Sequence, residues 1–134
     1  DICQEYLWKL LLDGTSPVEF SSLGRWWGTD PSTRRQEEID IMGEQDNKTA
    51  LFGECKWRQE PVDVGVLETL VNRSRLFHYS KVELYLFAKI GFTSGCMEQA
   101  EQMGNVHLVT YQDILNTLQP EKNNAKKEGT LWRP

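Results

Sequence analysis

The chain is 134 residues long with a mass of 15.5 kDa, enough for one domain with a real core. Its 20 acidic and 15 basic side chains leave a formal net charge of −5, which weighs mildly against a nucleic-acid partner because releasing phosphate counterions needs a local excess of Lys and Arg. No run approaches the roughly 20 apolar residues that span a bilayer, and no signal-peptide pattern is present, so a soluble protein without membrane contact is expected. Cys3, Cys55 and Cys96 are odd in number and widely spaced. They lack paired metal-ligand spacing and fit a reducing, cytoplasmic setting.

The chain starts at Asp1 and enters a helical pattern almost at once, so an excised domain whose polypeptide continues upstream is expected. Cys3, Tyr6, Leu7, Leu10 and Leu11 predict a helix from Ile2 to Leu12, stopped by Asp13-Gly14 and Pro17. Phe20 to Trp27 reads as a first strand, with a loop at Asp30-Pro31-Ser32. Two further strands form a hairpin across Asp46-Asn47. After Pro61, Asp63 can cap a helix running to about His78, with Leu67, Leu70, Val71, Ser74 and Phe77 on one face.

Lys81 to Phe92 reads as a buried central strand. Ser94 is the expected cap of a helix from Gly95 to Met103, closed by Gly104-Asn105. A short strand, Val106 to Val109, then leads to a capping box at Thr110-Tyr111-Gln112-Asp113 and a helix to Leu118. The expected fold is α/β, a mixed sheet with helices on both faces: an αβββαβ core with an extra αβα. Residues 1–119 form the domain, and the lysine-rich stretch 120–134 is expected to be a polar tail.

The chemistry concentrates in the hairpin. Glu38-Ile39-Asp40-Ile41 and Gly53-Glu54-Cys55-Lys56-Trp57 place charges where strands normally carry apolar side chains. Burying them is costly unless they satisfy one another or hold a cation. Glu54 and Lys56 share one strand face, with Gly53, Cys55 and Trp57 on the other. A loop of Asp46 to Lys48 sets Gln45 opposite Thr49, Met42 opposite Phe52 and Asp40 opposite Glu54, bringing both acids to one face. That register puts Ile39 with Cys55 and Ile41 with Gly53 on the other face.

Acids on the second strand and Glu-x-Lys on the third, followed by a helix and a strand, resemble the PD-(D/E)xK, or restriction-endonuclease-like, nucleases over most of residues 1–118. Within that superfamily, Gly24-Arg25-Trp26-Trp27-Gly28, Glu37-Glu38-Ile39-Asp40-Ile41 and Gly53-Glu54-Cys55-Lys56-Trp57 look like the nuclease-like domain C-terminal to a family of archaeal and bacterial P-loop ATPases. No Pro-Asp dipeptide precedes Glu54 at the usual point; Asp40 follows Ile39 instead.

The resemblance implies Asp40, Glu54 and Lys56 as catalytic residues of a Mg²⁺- or Mn²⁺-dependent hydrolase of phosphodiesters. Asp40, Glu54 and the backbone carbonyl of Cys55 would ligate the ion, Lys56 would orient water or stabilise developing charge, and Glu5 on the first helix is a further metal ligand to consider. Arg25, Arg34, Arg35, Arg58 and Gln59 surround the acids in sequence and are candidate nucleic-acid contacts. DNA is the expected substrate, and these residues do not separate it from RNA. An upstream ATPase module is the implied partner, with a homodimer left open. The rival function is a catalytically silent docking, dimerising or regulatory module.

Each residue also has a plainer reading. Asp40, Glu54 and Lys56 could be a structural ion cluster, although an expensive one. Glu5 and the arginines could be solvated surface charges. Trp26 and Trp27 suit packing better than base stacking, and His78 and His107 lack a nearby nucleophile.

Overall fold

The computed structural model describes residues 1–120. Five strands lie in the order β1 (Gly24–Thr29), β2 (Gln36–Glu44), β3 (Thr49–Lys56), β4 (Lys81–Ala88) and β5 (Val106–Thr110). The first three pair antiparallel and the last three parallel, so the sheet is mixed. Parallel neighbours need crossovers, supplied by α2 (Val64–Ser74) and α3 (Ser94–Met103). The remaining helices are α1 (Ile2–Leu12) and α4 (Tyr111–Leu118).

Two apolar layers enclose the sheet. On one side Leu67 and Leu70 of α2 and Cys96 and Ala100 of α3 bury Ile39, Phe52, Leu84 and Leu86. On the other, Cys3 and Leu7 of α1 and Ile114 of α4 bury Ile41, Leu51, Tyr85 and Phe87. Each fully buried Leu, Ile or Phe contributes on the order of 1.5–3 kcal/mol. Among the described residues no helix is long and apolar enough to cross a membrane. Of the expected tail, residues 121–134 lie outside the described residues.

The hairpin follows the expected register at its tight end. Gln45 N–H donates to the Thr49 carbonyl at 3.0 Å, Asp46 Oδ1 accepts from the Lys48 and Thr49 amides at 2.8 Å each, and Met42 pairs with Phe52 and Ile41 with Gly53. Gly53 lets the strands close here, since a Cβ on it would meet the Ile41 Cβ at 3.3 Å.

Beyond that pair the expectation fails. β1 pairs Gly24 with Met42 but Trp26 with Ile39, so three steps along β2 oppose two along β1. This extra residue is a β-bulge around Asp40 and Ile41. It turns Ile39 into the α2/α3 layer while Ile41 stays in the α1/α4 layer; the two do not share a face, as strict alternation had required.

Element ends differ too. β1 begins at Gly24 rather than Phe20, because Phe20 and Val18 are buried in the α1/α4 layer ahead of the strand. α2 ends at Ser74, whose hydroxyl turns back to the Val71 carbonyl at 2.7 Å. β4 stops at Ala88, and Thr93, not Ser94, caps α3 by accepting from the Cys96 amide at 3.2 Å. Asp63 caps α2, and Thr110 and Asp113 form the capping box of α4, both as expected.

Candidate functional site

The charged cluster sits where β2 and β3 part company. The paired register stops at Ile41 and Gly53, and the next amide of β3 free to donate, Cys55 N–H, bonds instead to the Asp40 side chain, Oδ2, at 3.0 Å. A carboxylate thus stands where a ladder carbonyl would have been. The bulge that breaks the alternation of β2 is what re-aims Asp40.

Glu54 is buried, with 8% of its side chain exposed, beside Leu86 of β4 in the register. Burial first, then the neighbouring Asp40 charge, push its pKa up to about 7 from 4.5, against the lowering pull of Lys56 and Arg73. Lys56 Nζ lies 3.5 Å from Glu54 Oε1. The other oxygen, Oε2, is buried without a hydrogen-bond partner, and the Arg73 guanidinium is 3.9 Å away, outside bonding range.

An orphaned carboxylate oxygen beside a second carboxylate is the donor chemistry of a hard divalent cation, which takes oxygen ligands and keeps waters. Asp40 and Glu54 therefore fit such an ion as a two-carboxylate site. Among the described residues no group of three or more His, Cys, Asp or Glu side chains is arranged to hold a metal, so the remaining positions would fall to backbone oxygen and water. Cys55 turns its thiol to the α1 side, where hydrogen bonding to Cys3 and then burial raise its pKa. It has the character of an inert core thiol.

The other sequence candidates scatter. Glu5 is exposed and stands roughly 200° round α1 from Cys3 and from Leu7, the buried positions, so the helix turns it from the sheet. Arg25 is exposed and 3.9 Å from Glu38. Arg34 holds a positive φ of 59° in the β1–β2 turn. Gln59 is exposed in the loop after β3. Two cavities run along α2: Arg58 lines the one that holds Glu54 and Lys56, and Arg35 lines its neighbour, which holds neither. One, about 240 Å³, is lined by Glu54, Lys56, Arg58, Asp63, Thr69 and Arg73 among others. The other, about 330 Å³, is bounded by Asp30, Arg35, Glu37, Thr69, Asn72, Arg73 and Leu76.

Arg73 and Glu37 are the residues that sequence reasoning missed. Arg73 Nε–H donates to Glu37 Oε2 at 2.8 Å. A signal existed: Arg73 falls three residues after buried Leu70 and seven after Val66, placing a cation on the sheet-facing stripe of α2. Glu37 precedes buried Ile39 by two, hence shares its face. His107 and Glu83 bond at 2.8 Å with the ring stacked on Tyr85, an ordinary satisfied histidine.

Comparison with known proteins gives a fold and a family. A protein of unknown function, AF1548, is similar at 18% identity and a TM-score of 0.50, over 87% of this chain and 65% of its own. The DNA modification-dependent restriction endonuclease AspBHI is similar at 19% identity and a TM-score of 0.48, over 90% of this chain and 30% of its own. The chain therefore spans less than two thirds of either structure, and at such identities these similarities bear on the fold alone. No curated protein matches. The sequence pattern of one family, DUF234, matches residues 1–73, from α1 through the hairpin and most of α2 to Arg73. The chain belongs to that family, the archaeal and bacterial proteins of unknown function DUF234.

Proposed function

We propose that this is a nuclease-like domain that hydrolyses phosphodiesters, DNA first, with Mg²⁺ or Mn²⁺ held by Asp40, Glu54 and the Cys55 carbonyl. The observation that carries the reading is the buried, unpartnered Glu54 Oε2 beside the Asp40 carboxylate, with Lys56 3.5 Å from the other oxygen. A structural ion cluster would be expected to close its bonds; this one leaves a carboxylate oxygen without a hydrogen bond and the ionised form of Glu54 destabilised. The resemblance to PD-(D/E)xK nucleases includes the same three residues.

A divalent cation in that position supplies Lewis acidity and a lowered water pKa. The chain's own part is positional. Asp40, fixed by the Cys55 amide, and Glu54, fixed by burial, hold their carboxylates in place without a loop closure. The Lys56 ammonium, two residues beyond Glu54 at the end of β3, aligns the attacking water or meets charge developing on the phosphate. The module joined to an upstream ATPase, with residues 1–119 as the nuclease-like unit, belongs to the same proposal.

The test is cleavage of DNA and RNA panels with Mn²⁺ or Mg²⁺, with the domain alone and within the longer polypeptide. Lys56→Ala should fold and lose on the order of 10²- to 10³-fold in rate, the usual cost of one electrostatic stabiliser. Asp40→Asn should lose both cleavage and Mn²⁺ binding by calorimetry. Undiminished cleavage by Lys56→Ala would place the site elsewhere. A protein that cleaves no nucleic acid in either form is a docking or regulatory module instead.

A further inference from the structure

The two cavities along α2 share Thr69 and Arg73 and so form one trench that passes the Glu54–Lys56 cluster. Its charges are unevenly spent. Each carboxylate beyond the cluster is already engaged: Glu37 by Arg73 at 2.8 Å, Asp63 by the Val66 amide at 3.3 Å, and Asp30 by the Ser32 amide and hydroxyl at 2.9 and 2.8 Å. The cations are only partly engaged. Among the described residues the guanidinium groups of Arg35 and Arg58 have no acceptor or ion-pair partner, and Arg73 hydrogen-bonds only through Nε to Glu37, its terminal nitrogens making no hydrogen bond and a single loose ion pair with Glu54 Oε2 at 3.9 Å.

Arg73 is also the best prepared of them. Three quarters of its side chain is buried, since 25% is exposed, so much of its rotamer entropy is already lost. Glu37 fixes the plane of the fork from behind. A guanidinium oriented in this way, with terminal donors unused, is suited to planar recognition of a phosphate. Lys56 and Arg58 stand on one side of it and Arg35 on the other.

We propose that this trench seats successive phosphates of a nucleic-acid strand, with Arg73 as its central phosphate clamp and Glu37 as the buttress of that clamp. The proposal deepens the nuclease reading and rests on it, adding the path of the strand: from Arg58 past Glu54 and Lys56, across Arg73, to Arg35. Glu37 thereby acts through Arg73, whereas Arg73 touches substrate.

Salt dependence separates a phosphate contact from a packing role, since each phosphate neutralised contributes about 0.9 to the slope of log K against log salt on duplex DNA. The measurement is anisotropy of a fluorescein-labelled duplex oligonucleotide in EDTA, across a salt series, with the full chain. Arg73→Gln should bind more weakly and lower the slope by about 0.9, and Arg73→Lys should restore the slope. Thr69→Lys, which adds an exposed cation to the trench wall, should raise it by about as much, and remains informative should Arg73→Gln not fold. Wild-type cleavage with slopes unaltered in Arg73→Gln and Thr69→Lys would overturn the trench and leave the nuclease reading standing. Absence of binding to duplex and single-stranded oligonucleotides alike would overturn both.

Discussion

The two sides of the sheet are built from the same strand and behave oppositely. On the α1/α4 side, Leu51, Tyr85, Phe87, Leu7 and Ile114 close a dry layer; on the α2 side the layer starts equally apolar at Ala50 and Phe52 and then, two residues on, meets Glu54 and Lys56. The strand does not change, yet its partners do. Phe52 lies in an apolar cluster, with the rings of Phe77 at 5.5 Å and Tyr79 at 6.0 Å. Around Glu54 the neighbours are Asp40, Lys56 and Arg73, and β2 has bulged away. Stability resides in the first environment. The second gives up stability to hold charge in place, as the proposed site would require.

The sharpest way to test this contrast is to damage the dry side. Phe87→Ala empties space between Tyr6, which meets its ring edge-on at 5.8 Å, and Tyr85. It should cost about 3–5 kcal/mol in urea unfolding, whereas a loss below about 1 kcal/mol would show that the layer is not the stabilising one.

The charged side should answer to pH. Glu54 titrates near 7 in the fold against 4.5 unfolded, so the folded state binds the proton more tightly. Its protonated form fits the fold without penalty below pH about 4.5, and stability falls as pH rises toward 7. A shift of this size corresponds to roughly 3 kcal/mol. The checking measurement is the pH dependence of unfolding in chelator, wild type minus Glu54→Gln, and a difference that grows with pH would reverse the assignment. Divalent ion should shrink the effect by stabilising the ionised form.

Replacing the charge altogether tests the same contrast at a single pH. Glu54→Leu, at pH 8 in chelator, should raise stability by on the order of 2 kcal/mol while abolishing metal response, because a buried charge without full compensation yields to a well-packed apolar residue. A destabilised variant would mean that Lys56 and Arg73 do compensate Glu54. Smallest is a change outside both regions: Thr93→Ala removes the cap of α3 and should cost about 1 kcal/mol, leaving the pH profile of the wild type unaltered.

Much of the plan was legible from local pattern. The element order, the three-residue hairpin turn and its register as far as Ile41–Gly53, the Asp63 cap and the Thr110–Asp113 capping box all follow from short-range rules of spacing and hydrogen bonding. The identity of Asp40, Glu54 and Lys56 as the anomalous residues was legible too, since charges inside apolar runs are visible in one dimension. Glu5 was the candidate least constrained by pattern, and the packing of Cys3 and Leu7 turned it outward.

Tertiary structure alone decided the rest. Whether Asp40 could meet Glu54 depended on a bulge that exists only because β1 and β2 pair out of step by one residue. Whether Glu54 would be neutralised depended on Arg73, nineteen positions later in number, stopping at 3.9 Å. Strand alternation and helix periodicity report which way a side chain leaves its own backbone. They carry no record of the distance to a backbone folded against it, and that distance separates a hydrogen-bonded salt bridge, as at Arg73–Glu37, from a loose ion pair that leaves Glu54 Oε2 without a hydrogen bond.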